Sequence, residues 1–175
     1  SSQDEQDSRY YARFAQIPYV EPSNQQEAYD LTHFAFELSE RLHTPVLMRV
    51  TTRLAHSRAG VVTRESRPQN EINLCGNPKQ FILLPANARR QYVELIEKNV
   101  EFIKSSETSG NNKYIDGTDK SMGIIASGIA YNYLMENYPD RNCPYPVLKI
   151  TQYPLPTAMI EKMADECESI LVAEE

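Results

Sequence analysis

Short apolar segments of strand type alternate with segments of helical period, and this alternation constrains the fold more than any other feature of the chain. Residues 17–20 predict a strand, Ala28 to Leu42 place apolar side chains on one helical face, and residues 45–51 predict a second strand. A strand, a helix and a strand in this order form a βαβ unit, whose right-handed crossover makes the strands parallel. The chain is therefore predicted to be an α/β protein.

The same alternation returns in residues 120–175 and predicts two more βαβ units. Their elements are a strand at 122–126, a Ser127-Gly128 turn, a helix with Ile129, Tyr133 and Leu134 directed inward, a strand at 147–150, a helix that follows Pro156 through Cys167, and a strand at 170–173. The last strand would form a bare edge, which natural domains usually cover or pair. Together with the absence of an initial Met, this edge makes the chain look like an internal fragment.

Between and before these units the patterns are weaker. A capping box of Ser2 and Glu5 predicts a helix over residues 3–15, and a second box of Ser23 and Gln26 precedes the first apolar helix. Residues 57–80 lack periodicity and predict a long loop. Four apolar residues predict one amphipathic helix over residues 87–104, and residues 105–119 predict an exposed polar loop. The four are Val93, Ile96, Val100 and Ile103.

Composition excludes several classes of protein. With 41% hydrophobic and 24% charged residues and no long apolar run, the chain is predicted to be globular, soluble and not membrane-spanning. Residues 91–175 carry 7 Lys and Arg against 14 Asp and Glu, which argues against nucleic-acid binding. Cys75, Cys143 and Cys167 are an odd, widely spaced set that forms no zinc or iron–sulfur motif and fits free thiols in the cytoplasm.

Two stretches carry candidate site residues. Arg53 and His56 follow the second predicted strand at its carboxyl edge, where α/β sheets place their ligands. A helix that begins at Ser1 would offer free N–H groups and polar side chains at one point, although simple capping explains the same residues. Five arginines between positions 49 and 67 are typical of a solvated loop, or of a loop that faces an anion or a partner.

Several blocks of residues resemble one known family in order and spacing. Residues 1–12 read S-S-Q-D-E-Q-D-S-R-Y-Y-A and are similar to the S-S-Q-N-E-Q-D-S-R-x-Y-A block of the alpha subunit of indolepyruvate ferredoxin oxidoreductases. Residues 21–30, 44–49, 51–57, 123–128, 153–156 and 172–175 follow the same family. Asp4 departs from it, since the family more often has Asn there, and its charge would alter substrate preference if it touches a ligand.

The resemblance implies a fold in two parts. Residues 1–62 would be the C-terminal part of a thiamine-diphosphate pyrimidine-binding domain, and residues 63–119 a connector with one amphipathic helix. Residues 120–175 would be a truncated, transketolase C-terminal-like three-layer α/β domain with parallel strands. The resemblance also implies a cofactor or substrate cleft shaped by residues of the two candidate stretches. These residues are Ser2, Gln3, Glu5, Gln6, Arg53 and His56.

The family oxidatively decarboxylates aryl pyruvates such as indolepyruvate to aryl-acetyl-CoA, with ferredoxin as electron acceptor. Its cofactors are thiamine diphosphate, Mg²⁺ and 4Fe-4S clusters, and its partners are a beta subunit, ferredoxin, coenzyme A and the aryl pyruvate. The activating glutamate of the family lies upstream of Ser1, and the metal–diphosphate motif and cysteine clusters lie downstream of Glu175. The chain alone is therefore expected to hold no catalytic residue or metal ligand and to be inactive.

Two alternatives stay open at this point. The chain could come from a pyruvate- or 2-oxoglutarate-type ferredoxin oxidoreductase, whose alpha subunits share this domain pair. It could also be a non-catalytic module for subunit assembly, a role that the third domain has in transketolase-type enzymes. The native enzyme is expected to be a cytoplasmic hetero-oligomer.

Overall fold

A computed structural model of the chain describes residues 6–175. The helices in this part of the chain are α1 (Arg9–Ala15), α2 (Gln25–Leu42), α3 (Thr52–His56), α4 (Pro85–Thr108), α5 (Ala130–Glu136) and α6 (Thr157–Glu166). The strands are β1 (Tyr19–Val20), β2 (Leu47–Met48), β3 (Lys113–Ile115), β4 (Gly123–Ser127), β5 (Val147–Ile150), β6 (Gln152–Tyr153) and β7 (Ile170–Ala173). The predicted α/β class is confirmed.

The first βαβ unit forms as predicted. Strands β1 and β2 are parallel, with Tyr19 opposite Leu47, and α2 connects them. Leu31, Leu38 and Leu42 are the buried residues of α2, because their spacing puts them on one face of the helix, where Leu38 and Leu42 pack with Phe102 of α4. The regular strands are only two residues long, so each is shorter than its apolar segment.

The N-termini of α1 and α2 differ from the prediction. Helix α1 begins at Arg9, because the Asp7 carboxylate accepts a hydrogen bond from the Arg9 backbone N–H at 3.0 Å; the predicted Ser2–Glu5 box lies outside the described residues. The N-cap of α2 is Asn24 rather than Ser23, since the Asn24 side chain accepts from the Glu27 N–H at 2.9 Å. Glu27 in turn accepts hydrogen bonds from the backbone N–H and the hydroxyl of Ser23. The side chain that completes the cap is therefore Glu27 and not the predicted Gln26.

The arginine-rich loop beyond α3 is largely exposed, as expected of a solvated loop, but two of its arginines contact α2. Arg64 contacts Asp30 at 2.7 Å, and Arg67 forms an ion pair with Glu37. The Gln26 side chain also donates to the backbone carbonyl of Val62 and accepts from its N–H. These polar contacts attach the predicted loop to the outer side of the helix, although the loop has no regular structure before the 3₁₀ turn Pro78–Gln80.

Helix α4 is longer than predicted, and three of the four apolar side chains that predicted it are exposed to solvent. Val93, Ile96 and Val100 are exposed, whereas Phe102 and Ser106 on another side of the helix are buried. The predicted amphipathic helix is therefore present, but its apolar stripe is not the side that the chain covers. Phe102 instead joins Leu38 and Leu42 in a small core between α4 and α2, so tertiary contacts rather than the strongest apolar stripe decide which side is covered.

The predicted exposed loop at 105–119 is wrong in its first part. Ser105 and Ser106 belong to α4 and are buried, and β3 pairs antiparallel with β5. Asn112 is 3% exposed, and its side-chain oxygen accepts from the N–H groups of Thr151 and Gln152 at 2.7 and 2.9 Å. The Asn112 side chain thus accepts backbone hydrogen bonds that a neighbouring strand would otherwise accept. A run of polar residues in the sequence does not show that one of them is buried in this role.

The second sheet has the order β3-β5-β4-β7, and its three predicted strands are parallel to one another. Ile124, Val147 and Met135 form a core on the side of α5, and Leu148 and Ile150 pack with Met163 on the side of α6. The predicted inward orientation of Tyr133 is wrong, since 38% of this residue is exposed and Met135 is buried in its place.

Strand β6 was not predicted and connects the two parts of the chain. It pairs antiparallel with β1, with Tyr19 opposite Tyr153, so the first sheet has the order β2-β1-β6. The rings of Tyr19 and Tyr153 stack at 4.1 Å with an angle of 9° between their planes. The division of the chain into residues 1–62, 63–119 and 120–175 stays a prediction. Two strands pair across these boundaries: β3 of the middle segment pairs with β5 of the last, and β6 of the last segment pairs with β1 of the first.

Candidate functional site

The carboxyl ends of the parallel strands of both sheets meet at one edge. Glu21 follows β1, Arg49 follows β2 by one residue, Ser127 ends β4, and Glu174 follows β7. Arg9, which begins α1, reaches the same place and donates to Glu174 at 2.7 Å and to Ser127 Oγ at 3.5 Å. We refer to Asp7, Arg9, Glu21, Arg49, Ser127, Tyr153, Glu174 and Glu175 as the carboxyl-edge cluster.

The centre of this cluster is a buried ion pair. Arg49 Nη1 donates to Glu21 Oε1, and the two side chains are 10% and 1% exposed. The Tyr153 hydroxyl donates to the other oxygen of Glu21 at 3.3 Å. Burial raises the pKa of the Glu21 carboxyl, and the charges of Arg49 and Arg9 oppose this rise. Burial also raises the pKa of Tyr153 to about 12.

Asp7 connects the two arginines of the cluster. It accepts from Arg9 Nε at 2.8 and 3.0 Å with its two carboxylate oxygens, and Arg49 Nε lies 3.6 Å away. The side-chain hydrogen bond from Arg9 lowers the pKa of Asp7, with desolvation opposing it. The charges of Asp7 and Glu21 therefore balance those of Arg9 and Arg49, which allows these four largely buried groups to share one site.

Only some of the predicted site residues can be placed. Ser2, Gln3 and Glu5 lie outside the described residues. Gln6 is exposed and directly precedes Asp7, so the end of the predicted N-terminal block does lie beside the carboxyl-edge cluster.

Arg53 and His56 lie on the short helix α3 rather than on a loop, because Thr51 caps its first turn with its side-chain oxygen. Arg53 Nε lies 3.8 Å from Glu175 Oε1, and its guanidinium stands 5.4 Å from the centre of the Tyr133 ring. Arg49 Nη2 donates to the Glu175 backbone oxygen at 2.7 Å. Glu174 and Glu175 therefore contact three arginines. His56 is exposed, and no side chain in residues 6–175 pairs with it.

A cavity of about 630 Å³ opens beside the cluster, between α1, α4, α6 and the second sheet. Its lining is mainly apolar, with Ile125, Ile150 and Val172 from the sheet and the stacked Tyr19 and Tyr153 at one end. The charged groups of Arg9 and Glu174 also reach its wall. An apolar cavity next to polar groups at the carboxyl edge of an α/β sheet is the arrangement of a ligand site.

A second buried ion pair lies deeper in the second sheet. Lys149 on β5 contacts Glu27 of α2, and its Nζ stands 4.5 Å from the centre of the Tyr131 ring. Burial lowers the pKa of Lys149, while the positive charge of Lys149 and the hydrogen bonds from Ser23 outweigh burial and lower that of Glu27. This pair connects the first helix to the second sheet.

No group of three or more His, Cys, Asp or Glu in the described ranges is arranged to hold a metal ion. The three cysteines are free thiols: Cys75 is exposed, Cys143 is buried and Cys167 is half-buried. Within the same residues, no helix combines the length and the apolar character needed to cross a bilayer.

The residues that reasoning from sequence missed are Arg9, Glu21 and Arg49. The rule that ligands gather at strand carboxyl ends selected Arg53, but it applies equally to Glu21 and Arg49, which follow β1 and β2 directly. A charged residue at the end of an apolar strand segment was therefore the available signal. No comparable signal existed for Arg9, whose partners Ser127 and Glu174 are more than a hundred residues away.

The fold and this edge define an α/β protein with an apolar cavity beside the edge where parallel strands end. The chain is 40% identical over 178 residues to the indolepyruvate oxidoreductase subunit IorA of Methanothermobacter marburgensis. It is 39% identical over 178 residues to IorA of Methanothermobacter thermautotrophicus and 38% identical over 179 residues to IorA of Archaeoglobus fulgidus. All of the chain is covered in each comparison.

The chain spans 28–29% of the length of these relatives. It is therefore related along its whole length to part of an indolepyruvate oxidoreductase subunit, and the resemblance carried by its motifs is confirmed. No protein-family model matches it.

Proposed function

We propose that the chain is a part of an enzyme subunit that oxidatively decarboxylates aryl pyruvates such as indolepyruvate to aryl-acetyl-CoA. The bond between the carboxyl and keto carbons breaks, carbon dioxide leaves, coenzyme A takes the acyl group, and ferredoxin accepts the electrons. The observation that carries this proposal is the 36–40% identity that extends over the whole chain in six curated relatives.

The cofactors belong to the proposal only for the complete enzyme. Thiamine diphosphate would stabilise the carbanion left by decarboxylation, and 4Fe-4S clusters would carry electrons to ferredoxin. The donor set of residues 6–175 does not fit the metal–diphosphate part, since no three of its His, Cys, Asp or Glu side chains are arranged to hold a metal ion, and the more buried carboxylates Asp7, Glu21 and Glu27 are paired with arginine or lysine. We therefore assign Mg²⁺, the diphosphate and the clusters to residues other than these, and a beta subunit to the native assembly.

Within such an enzyme, the carboxyl-edge cluster has a positioning role. Arg49 and Glu21 hold the ends of β1 and β2 together, and Arg9 ties α1 to the second sheet through Ser127 and Glu174. Arg53 contacts Glu175 at the outer side of this cluster. In this proposal the cluster fixes one wall of the cofactor or substrate cleft, to which Ser2, Gln3, Glu5, Gln6, Arg53 and His56 contribute without performing the key proton transfer.

Assays of the complete enzyme with four 2-oxoacids test the substrate class. We expect the highest kcat/KM for indolepyruvate, then phenylpyruvate, and low values for pyruvate and 2-oxoglutarate. The apolar cavity supports an aromatic substrate, since its wall carries two stacked tyrosines and several aliphatic side chains. Preference for pyruvate or 2-oxoglutarate would favour the alternative ferredoxin oxidoreductases and reject the aryl-pyruvate proposal.

Substitution of Arg53 and His56 tests the cleft. In the complete enzyme, Arg53→Ala and His56→Ala are each expected to raise KM or lower kcat, and Arg58→Ala, at an exposed position just beyond α3, is the matched control. Unchanged kinetic constants in both variants would remove these residues from the site.

The chain alone is expected to be inactive and to bind thiamine diphosphate weakly or not at all. Isothermal titration calorimetry with thiamine diphosphate and Mg²⁺ measures this directly. Tight, magnesium-dependent binding would contradict the assignment of the diphosphate site to other residues.

The edge strand β7 favours a second candidate function, subunit assembly by residues 120–175. Ile170, Leu171 and Val172 are 39%, 48% and 59% exposed on a strand that, among residues 6–175, lies at the edge of its sheet. If assembly is its role, a Leu171→Lys variant of the complete subunit would lose association with the beta subunit in co-purification, while the fold measured by circular dichroism stays unchanged.

A further inference from the structure

The cavity beside the carboxyl-edge cluster has the size of a small-molecule site, since its volume is about 630 Å³ and such sites usually enclose about 300–1,000 Å³. Tyr19 and Tyr153, whose rings stack 4.1 Å apart, both line it. Isoleucines reach its wall from α4, α6, β4, β5 and the segment after α1. They are Ile17, Ile103, Ile125, Ile150 and Ile160. An aromatic ring suits this wall, because the faces and edges of tyrosine rings both make favourable contacts with a further ring.

The charged side chains on the wall leave one cation over. Arg9 contacts Asp7 at 2.8 Å and Glu174 at 2.7 Å, so these three groups pair among themselves. The fourth charged lining residue is Arg13, whose side chain forms no hydrogen bond or ion pair with any of residues 6–175. A guanidinium in this position favours a ligand with a carboxylate, which it can bind through two parallel hydrogen bonds.

Arg13 stands at the mouth of the cavity. Together with Tyr10 and Gln16 it lines both the cavity and the open depression outside it. Gln16 donates to the Tyr92 hydroxyl at 3.4 Å and accepts from the Asn99 side chain at 3.3 Å, which ties α1 to α4 beside Arg13. The cation is therefore held where the apolar interior meets the solvent.

We propose that this cavity binds an aromatic carboxylic acid, with the ring among the isoleucines and the tyrosine pair and the carboxylate at Arg13. In the reaction proposed above the ligand is the aryl pyruvate, and the bond between its carboxyl and keto carbons lies at the open end of the cavity. Arg13 is a binding residue in this assignment. The assignment deepens the proposed function and rests on it only for the identity of the natural aryl acid.

NMR spectra of the 175-residue chain with labelled isoleucine methyl groups test the site directly. Indole-3-acetate is the ligand, because it carries an aryl ring and a carboxylate but no keto group that can react. We expect saturable shifts of the lining isoleucine signals with a Kd of about 1 mM or lower. The signals of Ile82 and Ile96, which do not line the cavity, should stay in place. No shifts up to about 10 mM ligand, or shifts without this selectivity, would overturn the proposal.

Substitution of Arg13 tests the contact with the carboxylate. Arg13→Gln is expected to raise the Kd of indole-3-acetate about fivefold and to leave that of indole, which has no carboxylate, unchanged. Arg89→Gln is the matched control, because Arg89 is also an exposed arginine on a helix and does not line the cavity. Equal losses for the two ligands, or no loss for either, would remove Arg13 from the site.

Two acids of similar size test the preference for an aromatic ring. Phenylacetate is expected to bind about two- to tenfold more tightly than cyclohexylacetate, because only the phenyl ring gains the ring-to-ring contacts with the tyrosine pair. Equal or tighter binding of cyclohexylacetate would reject the aromatic class of ligand.

A substitution on β7 tests the location of the ring. Val172→Phe would fill part of the cavity and is expected to raise the Kd of indole-3-acetate at least about tenfold. Leu171→Phe is the matched control, since the neighbouring side chain of a strand lies on its other face and Leu171 does not line the cavity. The two residues are 59% and 48% exposed, so both variants should fold, which circular dichroism verifies. Equal affinities of the two variants would place the binding site elsewhere.

These experiments separate this inference from the proposed function. Turnover of indolepyruvate by the complete enzyme, without binding of indole-3-acetate in the cavity, would reject the cavity assignment and keep the function. Binding in the cavity, combined with an enzyme that prefers pyruvate, would reject the function and keep a site for aromatic carboxylates.

Discussion

At the scale of single residues, the contact between Arg49 and Glu21 decides how the first sheet ends. Both side chains are almost completely buried, so neither charge can return to water if its partner is removed. Tyr153 adds a hydrogen bond to the same carboxylate, which makes Glu21 the common partner of two residues that are remote in sequence. Such a network is strongly coupled, and its members should not act independently.

A double-mutant cycle measures this coupling. Arg49→Met is expected to lower the free energy of unfolding by about 3–5 kcal/mol, because it leaves the Glu21 carboxylate buried without its cation. Arg49→Met combined with Glu21→Gln should cost less than the sum of the single variants in urea denaturation. Arg58→Met is the control for loss of an arginine and should change the free energy of unfolding by less than about 0.5 kcal/mol. Strict additivity would contradict a coupled pair.

Asp7 gives a prediction for pH dependence. Its pKa is lowered in the folded protein by the hydrogen bond from Arg9, so its stabilising contribution is present above the unfolded value of 3.8 and is lost as the pH falls through the lowered folded value. Asp7→Asn should therefore reduce the free energy of unfolding by about 1–2 kcal/mol at neutral pH. Urea denaturation below pH 3.8 should show the difference disappearing; a difference that grows in acid would have the wrong sign.

At the scale of elements, the N-terminus of α2 depends on the side chain of one residue, Asn24. Asn24 caps α2 with a hydrogen bond, whereas Ser8 occupies the same position of α1 without one. Asn24→Ala is expected to lower the free energy of unfolding by about 1 kcal/mol, and Ser8→Ala by much less. Thermal unfolding compares the two variants directly. Equal losses would show that the Asn24 hydrogen bond is not the source of the effect.

The turn from β4 to α5 depends on Gly128. Its φ of +52° favours glycine, and a Cβ at this position would lie 2.5 Å from Glu21 Oε1. Gly128→Ala should therefore cost at least about 1 kcal/mol more than Gly110→Ala, whose φ is +80° but whose Cβ would meet open space. Because both glycines have a positive φ, the comparison with Gly110→Ala separates the cost of backbone strain from the cost of the steric clash with Glu21. Equal costs in chemical denaturation would mean that Glu21 moves aside freely.

At the scale of the whole molecule, three features join the two parts of the chain. These are the pairing of β6 with β1, the contact of Lys149 with Glu27, and the contact of Arg9 with Glu174. Each feature connects residues from opposite halves of the sequence. The parts should therefore unfold together, although the family resemblance implies separate domains.

This cooperativity can be measured in one experiment. Far-ultraviolet and near-ultraviolet circular dichroism should give coincident urea transitions for the full chain. A segment of residues 120–175 alone should lack a cooperative transition, because it loses the partners of β6 and of Lys149. Two separate transitions in the full chain would instead support independent domains.

Much of the fold could be predicted because its signals are local. The spacing of Leu31, Leu38 and Leu42 predicts α2, and the apolar runs at β4, β5 and β7 predict parallel strands when helices separate them. The site was predicted less well: the edge was identified correctly, and Arg53 lies beside it, but Glu21 and Arg49 were not selected. Glu21 and Arg49 pair because the ends of β1 and β2 become neighbours in the folded sheet, and the local sequence pattern does not predict which strands become neighbours.

By itself, the sequence determined the α/β class, the parallel direction of the main strands and the family relationship, since these follow from periodicity and from short residue blocks. Only the tertiary structure decided that β6 joins the first sheet, that α4 turns its apolar stripe outward, and that Arg9 reaches Glu174. The physical reason is the range of the interactions. Helical period and strand alternation depend on neighbouring residues, whereas sheet order and buried ion pairs depend on segments that meet only after the chain has folded.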